Sequence, residues 1–145
     1  MTEEIQYFLD EFMSRTSGEA ARPEADESPF DFAVLVQGAV LYIVVRGELE
    51  FHHTDRFNEA IDPALAEPTC KNVVVHMGQV SFVDSTGLAT LVNASQIVRE
   101  RGGHVYLAGC TPFVIKTLEI TRLMRVFQVH ETFPDAYDAA NKPEE

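Results

Sequence analysis

Residues 71–77, Lys-Asn-Val-Val-Val-His-Met, form a nearly continuous apolar run in the middle of the chain. A strand with one face in water alternates apolar and polar residues, whereas a strand covered on both faces reads as an unbroken apolar run. Strands of the second kind belong to parallel sheets, in which helices usually make the crossover connections. The run therefore predicts an α/β fold with this strand inside the sheet.

The rest of the chain supplies strands and helices in alternation. Strands are predicted at residues 30–37, 40–46, 71–77, 104–108 and 126–129. Helices are predicted at residues 55–65, 86–101 and 133–140, with a further one that begins at Thr111-Pro112. Gly38-Ala39 separates the first two strands and predicts a tight antiparallel hairpin. The order β-β-α-β-α-β-α-β-α predicts a mixed, mostly parallel sheet of about five strands, opened by the hairpin and flanked by about four helices.

Two of the predicted helices carry further detail. Thr54 is a candidate cap for the helix at 55–65, and Pro63 predicts a kink or an early end there. In the helix at 86–101, one stripe of residues at helical spacing predicts the side that faces the sheet. That stripe consists of Leu88, Leu91, Val92, Ser95 and Val98.

The first 29 residues differ from the remainder and predict a separate N-terminal extension, followed by a domain at residues 30–145. Nine acidic and two basic residues occur up to Asp31. Apolar residues recur at helical spacing after Thr2 and predict an amphipathic helix at residues 3–13. Residues 14–29 have the composition of a flexible linker. The helix either packs on its own domain or serves as a dimerisation or docking arm, and the sequence favours neither.

The charge of the chain limits its partners. Eleven basic residues against 23 acidic ones give a net charge of −12. Such a surface repels phosphate backbones and anionic headgroups, so we expect no nucleic acid and no membrane among the partners. No apolar run approaches the roughly 20 residues that span a bilayer, and no signal peptide is recognisable at the N-terminus. We therefore expect a cytoplasmic protein without membrane insertion.

The segment with the most chemical information is Asp84-Ser85-Thr86-Gly87, which follows a strand and opens a helix. The start of a helix presents unpaired N–H groups and a partial positive charge. A side-chain oxygen there caps the helix, and a phosphate there is stabilised by the same donors. Local physics alone favours the capping role, and a cap requires no further function.

Motifs of the common enzyme classes are missing from the sequence. It contains neither Gly-x-Ser-x-Gly nor the phosphate loop Gly-x-x-x-x-Gly-Lys-[Ser/Thr]. The five histidines have no spacing typical of metal ligands. We therefore expect a protein that is not an enzyme, with no catalytic residue, no metal and no cofactor.

Four blocks of the chain resemble one known family. They are residues 47–54 (Gly-Glu-Leu-Glu-Phe-His-His-Thr), 81–88 (Ser-Phe-Val-Asp-Ser-Thr-Gly-Leu), 101–107 and 111–121. In order and content they are similar to the STAS family, whose best-known members are bacterial anti-sigma factor antagonists. The resemblance covers about residues 30–140. One departure is Arg122, which stands where the family often has a glycine after the helix.

The resemblance implies a phosphorylation switch at Ser85, with Thr86 as a minor candidate. In the family, the unphosphorylated protein binds an anti-sigma factor that is also a serine kinase, and so releases a sigma factor. Phosphorylation ends that binding, and a serine phosphatase restores it. The alternative is a STAS scaffold subunit of a stress-signalling or lipid-transport complex that phosphorylation does not switch.

A partner-binding face is predicted on the helix that begins at this segment. Its members are the segment itself and the residues expected opposite the core stripe. They are Asp84, Ser85, Thr86, Gly87, Thr90, Ala94, Ile97 and Arg101. A homodimer through the N-terminal helix is a further candidate assembly.

Overall fold

The protein is described by a computed structural model, which covers residues 1–15 and 29–143. Along the chain its elements are α1 (Glu3–Met13), β1 (Phe30–Gln37), β2 (Val40–Leu49), α2 (Phe51–Ala66), β3 (Asn72–Val83), α3 (Ser85–Arg99), β4 (Val105–Ala108), α4 (Pro112–Ile120), β5 (Gln128–His130) and α5 (Phe133–Ala140). The predicted order and the mixed α/β class are confirmed. In the described residues no helix has the length and hydropathy that crossing a bilayer requires.

One five-stranded sheet organises the fold, and its strands follow one another in the order β1-β2-β3-β4-β5. β1 pairs with β2 antiparallel through the two-residue loop Gly38-Ala39, and all later pairs are parallel. Each parallel step moves in the same direction across the sheet. Because such crossovers are right-handed, α2, α3 and α4 must all lie on one face.

That face holds the larger hydrophobic core. Alternate residues of the central strands point into it, including Leu41, Ile43, Val73 and Val75. The helices contribute Phe57 and Ile61 of α2, Leu91 and Val98 of α3, and Val114 and Leu118 of α4. Burying one such side chain stabilises the fold by roughly 1.5–3 kcal/mol, so this cluster supplies the main driving force of folding.

The opposite face would be bare without α1 and α5. A second core cluster forms there between these helices and strand residues such as Tyr42 and Val74. Ile5 and Leu9 of α1 are buried in it, and Arg46 of β2 donates to the carbonyl of Phe12 at 3.1 Å. The helix therefore packs on its own domain, the first of the two alternatives.

The predicted homodimer would have to use the outer side of α1, where Tyr7 is 74% exposed. It stays a prediction, as does the division of the chain into an extension at 1–29 and a domain at 30–145. The predicted linker lies mostly outside the described residues, which include only 14, 15 and 29 of it.

The largest boundary errors in the predicted elements concern α2 and β3. α2 begins at Phe51, because the side chain of Glu50 caps it and accepts from the N–H of His52 at 3.1 Å. The helix also continues through Pro63 to Ala66, so the early end is not observed. β3 extends to Val83, six residues beyond the predicted strand. Its final part pairs with β2 after register shifts near Arg46 and Gly47.

Candidate functional site

The candidate site lies where β2 and β3 end and α2 and α3 begin. Parallel neighbours end at the same edge of a sheet, so the residues that follow β2 and β3 lie close together. Glu50 alone connects β2 to α2, and Asp84 alone connects β3 to α3. Both connections are therefore tight, and the starts of the two helices lie side by side.

The carboxylate of Asp84 ties these two helix starts together. One oxygen, Oδ1, accepts from Thr86 Oγ1 at 2.7 Å and from the N–H of Gly87 at 2.9 Å, which caps α3. The other oxygen, Oδ2, accepts from the N–H of Phe51 at 3.0 Å, at the first residue of α2. The side chain that caps α3 is thus the carboxylate of Asp84, which also accepts a hydrogen bond from the first residue of α2.

These contacts set the charge of Asp84. Burial opposes ionisation and acts to raise the pKa, but the hydrogen bonds from Thr86, Gly87 and Phe51 outweigh it and lower the pKa below its ordinary value. The carboxylate is therefore ionised at neutral pH. A fixed negative charge stands directly beside Ser85.

Gly87 brings the start of α3 against the end of β2. A Cβ at this position would meet the carbonyl oxygen of Leu49 at 2.2 Å, closer than any real contact. The N–H of Asp84 also donates to that carbonyl at 3.3 Å. Only glycine fits this approach, so its role at this position is structural, in contact with Leu49.

Ser85 and Thr86 differ sharply in availability. Ser85 is exposed at the first residue of α3, and no described residue makes a hydrogen bond with its hydroxyl. The hydroxyl of Thr86 is only partly exposed and donates to Asp84. A modifying enzyme could reach the first hydroxyl without breaking a contact, whereas the second is part of the cap.

The face predicted opposite the core stripe of α3 is largely buried, so that placement was wrong. Thr90 is 6% exposed and Ala94 is 2% exposed, because α2 packs along this side of α3. Ile97 is half-buried against the same core. Arg101 donates to the carbonyls of Glu67 and Cys70 at 3.0 and 2.8 Å, just beyond the end of α2.

The accessible side of α3 lies elsewhere, in line with Ser85. Its exposed residues are Ser85, Ala89, Asn93, Gln96 and Arg99. This face was not predicted from the sequence, and neither were two exposed aromatic side chains close to the start of α3. Phe51 is 66% exposed and Phe82 is 38% exposed. Phe51 and Phe82 lie in the blocks 47–54 and 81–88 that resemble the family. Those blocks were therefore the available signal for this surface.

The carboxylate of Glu50 contacts the two neighbouring histidines at the same edge. His52 Nδ1 lies 3.0 Å and His53 Nε2 lies 3.5 Å from its carboxylate. Within residues 1–15 and 29–143, no three His, Cys, Asp or Glu side chains converge as metal ligands. Glu50 and its histidines therefore add charge and hydrogen bonding to this edge of the sheet.

Comparison with known proteins assigns the chain to a family. The STAS domain model matches residues 31–138. The chain belongs to the STAS domain family. A similar curated protein is an anti-sigma F factor antagonist of Paenibacillus polymyxa, 24% identical over 92 residues, which cover 63% of this chain and 79% of that protein. An anti-sigma-B factor antagonist of Staphylococcus aureus is 27% identical over 89 residues, which cover 61% of this chain and 82% of that protein.

Solved structures show the same STAS fold. The unphosphorylated anti-sigma factor antagonist SpoIIAA superposes with a TM-score of 0.69 at 20% identity, covering 79% of this chain and all of that one (100%). The phosphorylated form of the Bacillus protein SpoIIAA superposes with a TM-score of 0.62 at 20% identity, covering 75% of this chain and 98% of that one. The five-stranded sheet and its crossover helices are therefore the common architecture of these proteins.

Proposed function

We propose that this STAS protein is a binding protein whose contact surface is switched by phosphorylation of Ser85. The observation that carries the proposal is the contrast at the start of α3. Asp84 and Thr86 are committed to the cap, whereas Ser85 is exposed with a hydroxyl that no described residue uses. The names of the curated relatives support the direction of the proposal, since both are anti-sigma factor antagonists.

In this proposal the unphosphorylated protein binds an anti-sigma factor that is also a serine kinase, and its sigma factor is released. The contact surface comprises Ser85, the aromatic rings of Phe51 and Phe82, and the exposed side of α3. Phosphorylation by that kinase ends binding, and a serine phosphatase restores it. The surface differs from the predicted one because Thr90 and Ala94 face α2.

A phosphate at Ser85 acts on contact chemistry. It adds about −1.5 to −2 charge and three acceptor oxygens. The N-terminus of α3 stabilises that charge, while the ionised Asp84 beside it repels it. Because the cap and the Gly87 contact hold the backbone, the phosphate projects from the exposed surface at the start of α3. A loss of about 3 kcal/mol in binding would lower affinity roughly a hundredfold.

The test uses the full chain and partners captured from cells of the source species. Wild type and Ser85→Ala should both retain a serine kinase, while Ser85→Asp should release it. Thr69→Asp is the matched control, because Thr69 is exposed and precedes β3, at the other end of the sheet. It adds the same charge and should leave capture unchanged. With ATP, the captured kinase should add one phosphate to wild type and none to Ser85→Ala.

Two results would contradict the proposal. In one, Ser85→Asp binds the purified kinase with the dissociation constant of wild type. In the other, Ser85→Ala is phosphorylated as readily as wild type. Stable capture of a transporter or a large signalling assembly, unaffected by Ser85→Asp, would support the scaffold alternative instead.

A further inference from the structure

α4 exposes apolar side chains along one side. Phe113 is 45% exposed and Ile120 is 70% exposed, and they stand seven residues apart, two turns of the helix, on the same face. The ring of Phe82 lies 5.4 Å from the ring of Phe113, measured between centroids. An apolar strip therefore runs from the end of β3, three residues before Ser85, along α4. Contiguous exposed apolar surface of this kind marks interaction sites.

α4 and the residues just after it also carry positive charge. Residues 116–125 contain three basic residues and one acidic residue, in a chain whose net charge is −12. The basic residues are Lys116, Arg122 and Arg125, all exposed. Within the described parts of the chain, none of the three forms an ion pair. Lys116 lies between Phe113 and Ile120 on the helix surface, so cation and apolar groups share one strip.

Three arginine side chains elsewhere in the structure have contacts within the fold. Arg15 pairs with Asp31 at 3.3 Å, Arg46 donates to the carbonyl of Phe12, and Arg101 donates to that of Cys70. Lys116, Arg122 and Arg125 make no such contact with the described residues, so their charge is available to another molecule.

We propose that the α4 strip, defined as Phe82, Phe113, Lys116, Ile120 and Arg122, is a second docking site for an acidic segment of the partner with apolar anchors. The proposal rests on the proposed function, because the same partner contacts Ser85. Charge selects the acidic occupant, and the rings of Phe82 and Phe113 make the strip continuous with the Ser85 surface. A polyanion such as nucleic acid or an anionic bilayer would meet the repulsion of the whole acidic chain.

The two contacts should respond differently to phosphorylation. A phosphate at Ser85 adds charge next to Phe82, whereas Lys116 and Ile120 lie farther along α4. The α4 strip therefore contributes affinity to both forms of the protein, and its electrostatic part weakens with salt. It would hold the kinase near its substrate and leave the on–off decision to Ser85.

The first experiment uses the full chain and a synthetic helical peptide with leucine at every third or fourth position and glutamate elsewhere. Amide NMR shifts should concentrate at residues 113–125 for wild type and for Ser85→Asp. They should disappear in Lys116→Glu/Ile120→Ser and persist in Lys142→Glu, a control at another exposed lysine. A peptide with lysine in place of glutamate should produce no shifts.

The second experiment measures the dissociation constant of the purified kinase. The double substitution Lys116→Glu/Ile120→Ser should raise this dissociation constant about tenfold. The unfolding midpoint should not change, since both residues are exposed. An unchanged constant in this variant, together with loss of binding in Ser85→Asp, would overturn the docking site and leave the switch intact. The reverse pattern would overturn the switch and leave the docking site. Binding of phosphatidylglycerol vesicles in place of the acidic peptide, abolished by Lys116→Glu, would also overturn the proposal.

Discussion

Arg122 has a φ of 62° and is the one non-glycine residue with positive φ in the described chain. It follows Thr121, the C-cap of α4. The N–H of Arg122 donates to the carbonyl of Glu119 at 3.1 Å, and that of Leu123 donates to Leu118 at 2.8 Å. This pair of bonds is the Schellman ending of a helix, which requires a left-handed residue and usually has glycine there. Replacing Arg122 by glycine should therefore stabilise the protein.

Two opposing terms determine the size of the effect. The left-handed conformation costs an L-residue about 1–2 kcal/mol, which glycine avoids. Glycine in turn gives the unfolded chain more conformational freedom, worth about 0.4–1 kcal/mol. The exposed Arg122 side chain has no ion pair or hydrogen bond with the described residues, so its removal loses little. The free energy of unfolding should rise by about 0.5–1 kcal/mol, which corresponds to about 2–4 °C in melting temperature.

Urea unfolding of the full chain measures this directly, with midpoints compared at a common slope. Arg122→Ala is the first control, because it removes the charge but keeps the Cβ, and its midpoint should equal that of wild type. Arg125→Gly is the second, because Arg125 has an ordinary φ, and it should lose about 0.5–1 kcal/mol. An Arg122→Gly midpoint no higher than that of Arg122→Ala would refute the argument from backbone strain.

Three further predictions concern the start of α3. Asp84→Ala should lower the free energy of unfolding at pH 7 by about 1–2 kcal/mol, since it removes the cap and leaves the N–H of Phe51 without its acceptor. The pKa of Asp84 is lower in the folded state than in the unfolded state. Its charge therefore stabilises the fold fully above the unfolded pKa of about 3.9. This stabilisation is lost as the pH falls through the pKa of the folded state. Urea midpoints of wild type and Asp84→Asn should therefore converge in that acidic range, and a constant difference would contradict this. Gly87→Ala should lower the free energy of unfolding by about 1–3 kcal/mol, because the new Cβ meets the carbonyl of Leu49. This cost should exceed the gain from the better helix propensity of alanine. A urea midpoint at or above that of wild type would show that the helix can shift freely.

Local patterns were sufficient for much of the fold. The strand at 30–37 and the helix at 133–140 have the predicted bounds, because their apolar residues recur at the period of the element. The last six residues of β3 gave no such signal. Gly78 and Gln79 read as a loop, and the segment becomes a strand only by pairing with the end of β2 after register shifts. That pairing joins residues about 33 apart, so no local pattern contains it.

The same distinction explains the error on α3. A helix on a sheet buries the stripe that faces the strands, and periodicity identified that stripe correctly. Thr90 and Ala94 are buried by a second neighbour, α2, which lies beside α3 on the same face. The periodicity of one helix contains no information about the helix next to it. Periodicity therefore predicts the solvent-exposed face of a helix only when that helix lies at the edge of its layer.

Ser85 was singled out by the resemblance to the STAS family, and the structure adds the setting of that residue at the start of α3. Three elements fix the backbone beside it: Asp84 bonds to the start of α2, Gly87 contacts the end of β2, and α3 continues from the cap. A backbone held from three sides has little room to adjust to a new charge by moving. A phosphate on Ser85 would therefore change what the surface presents, and the fold beneath it would remain as it is.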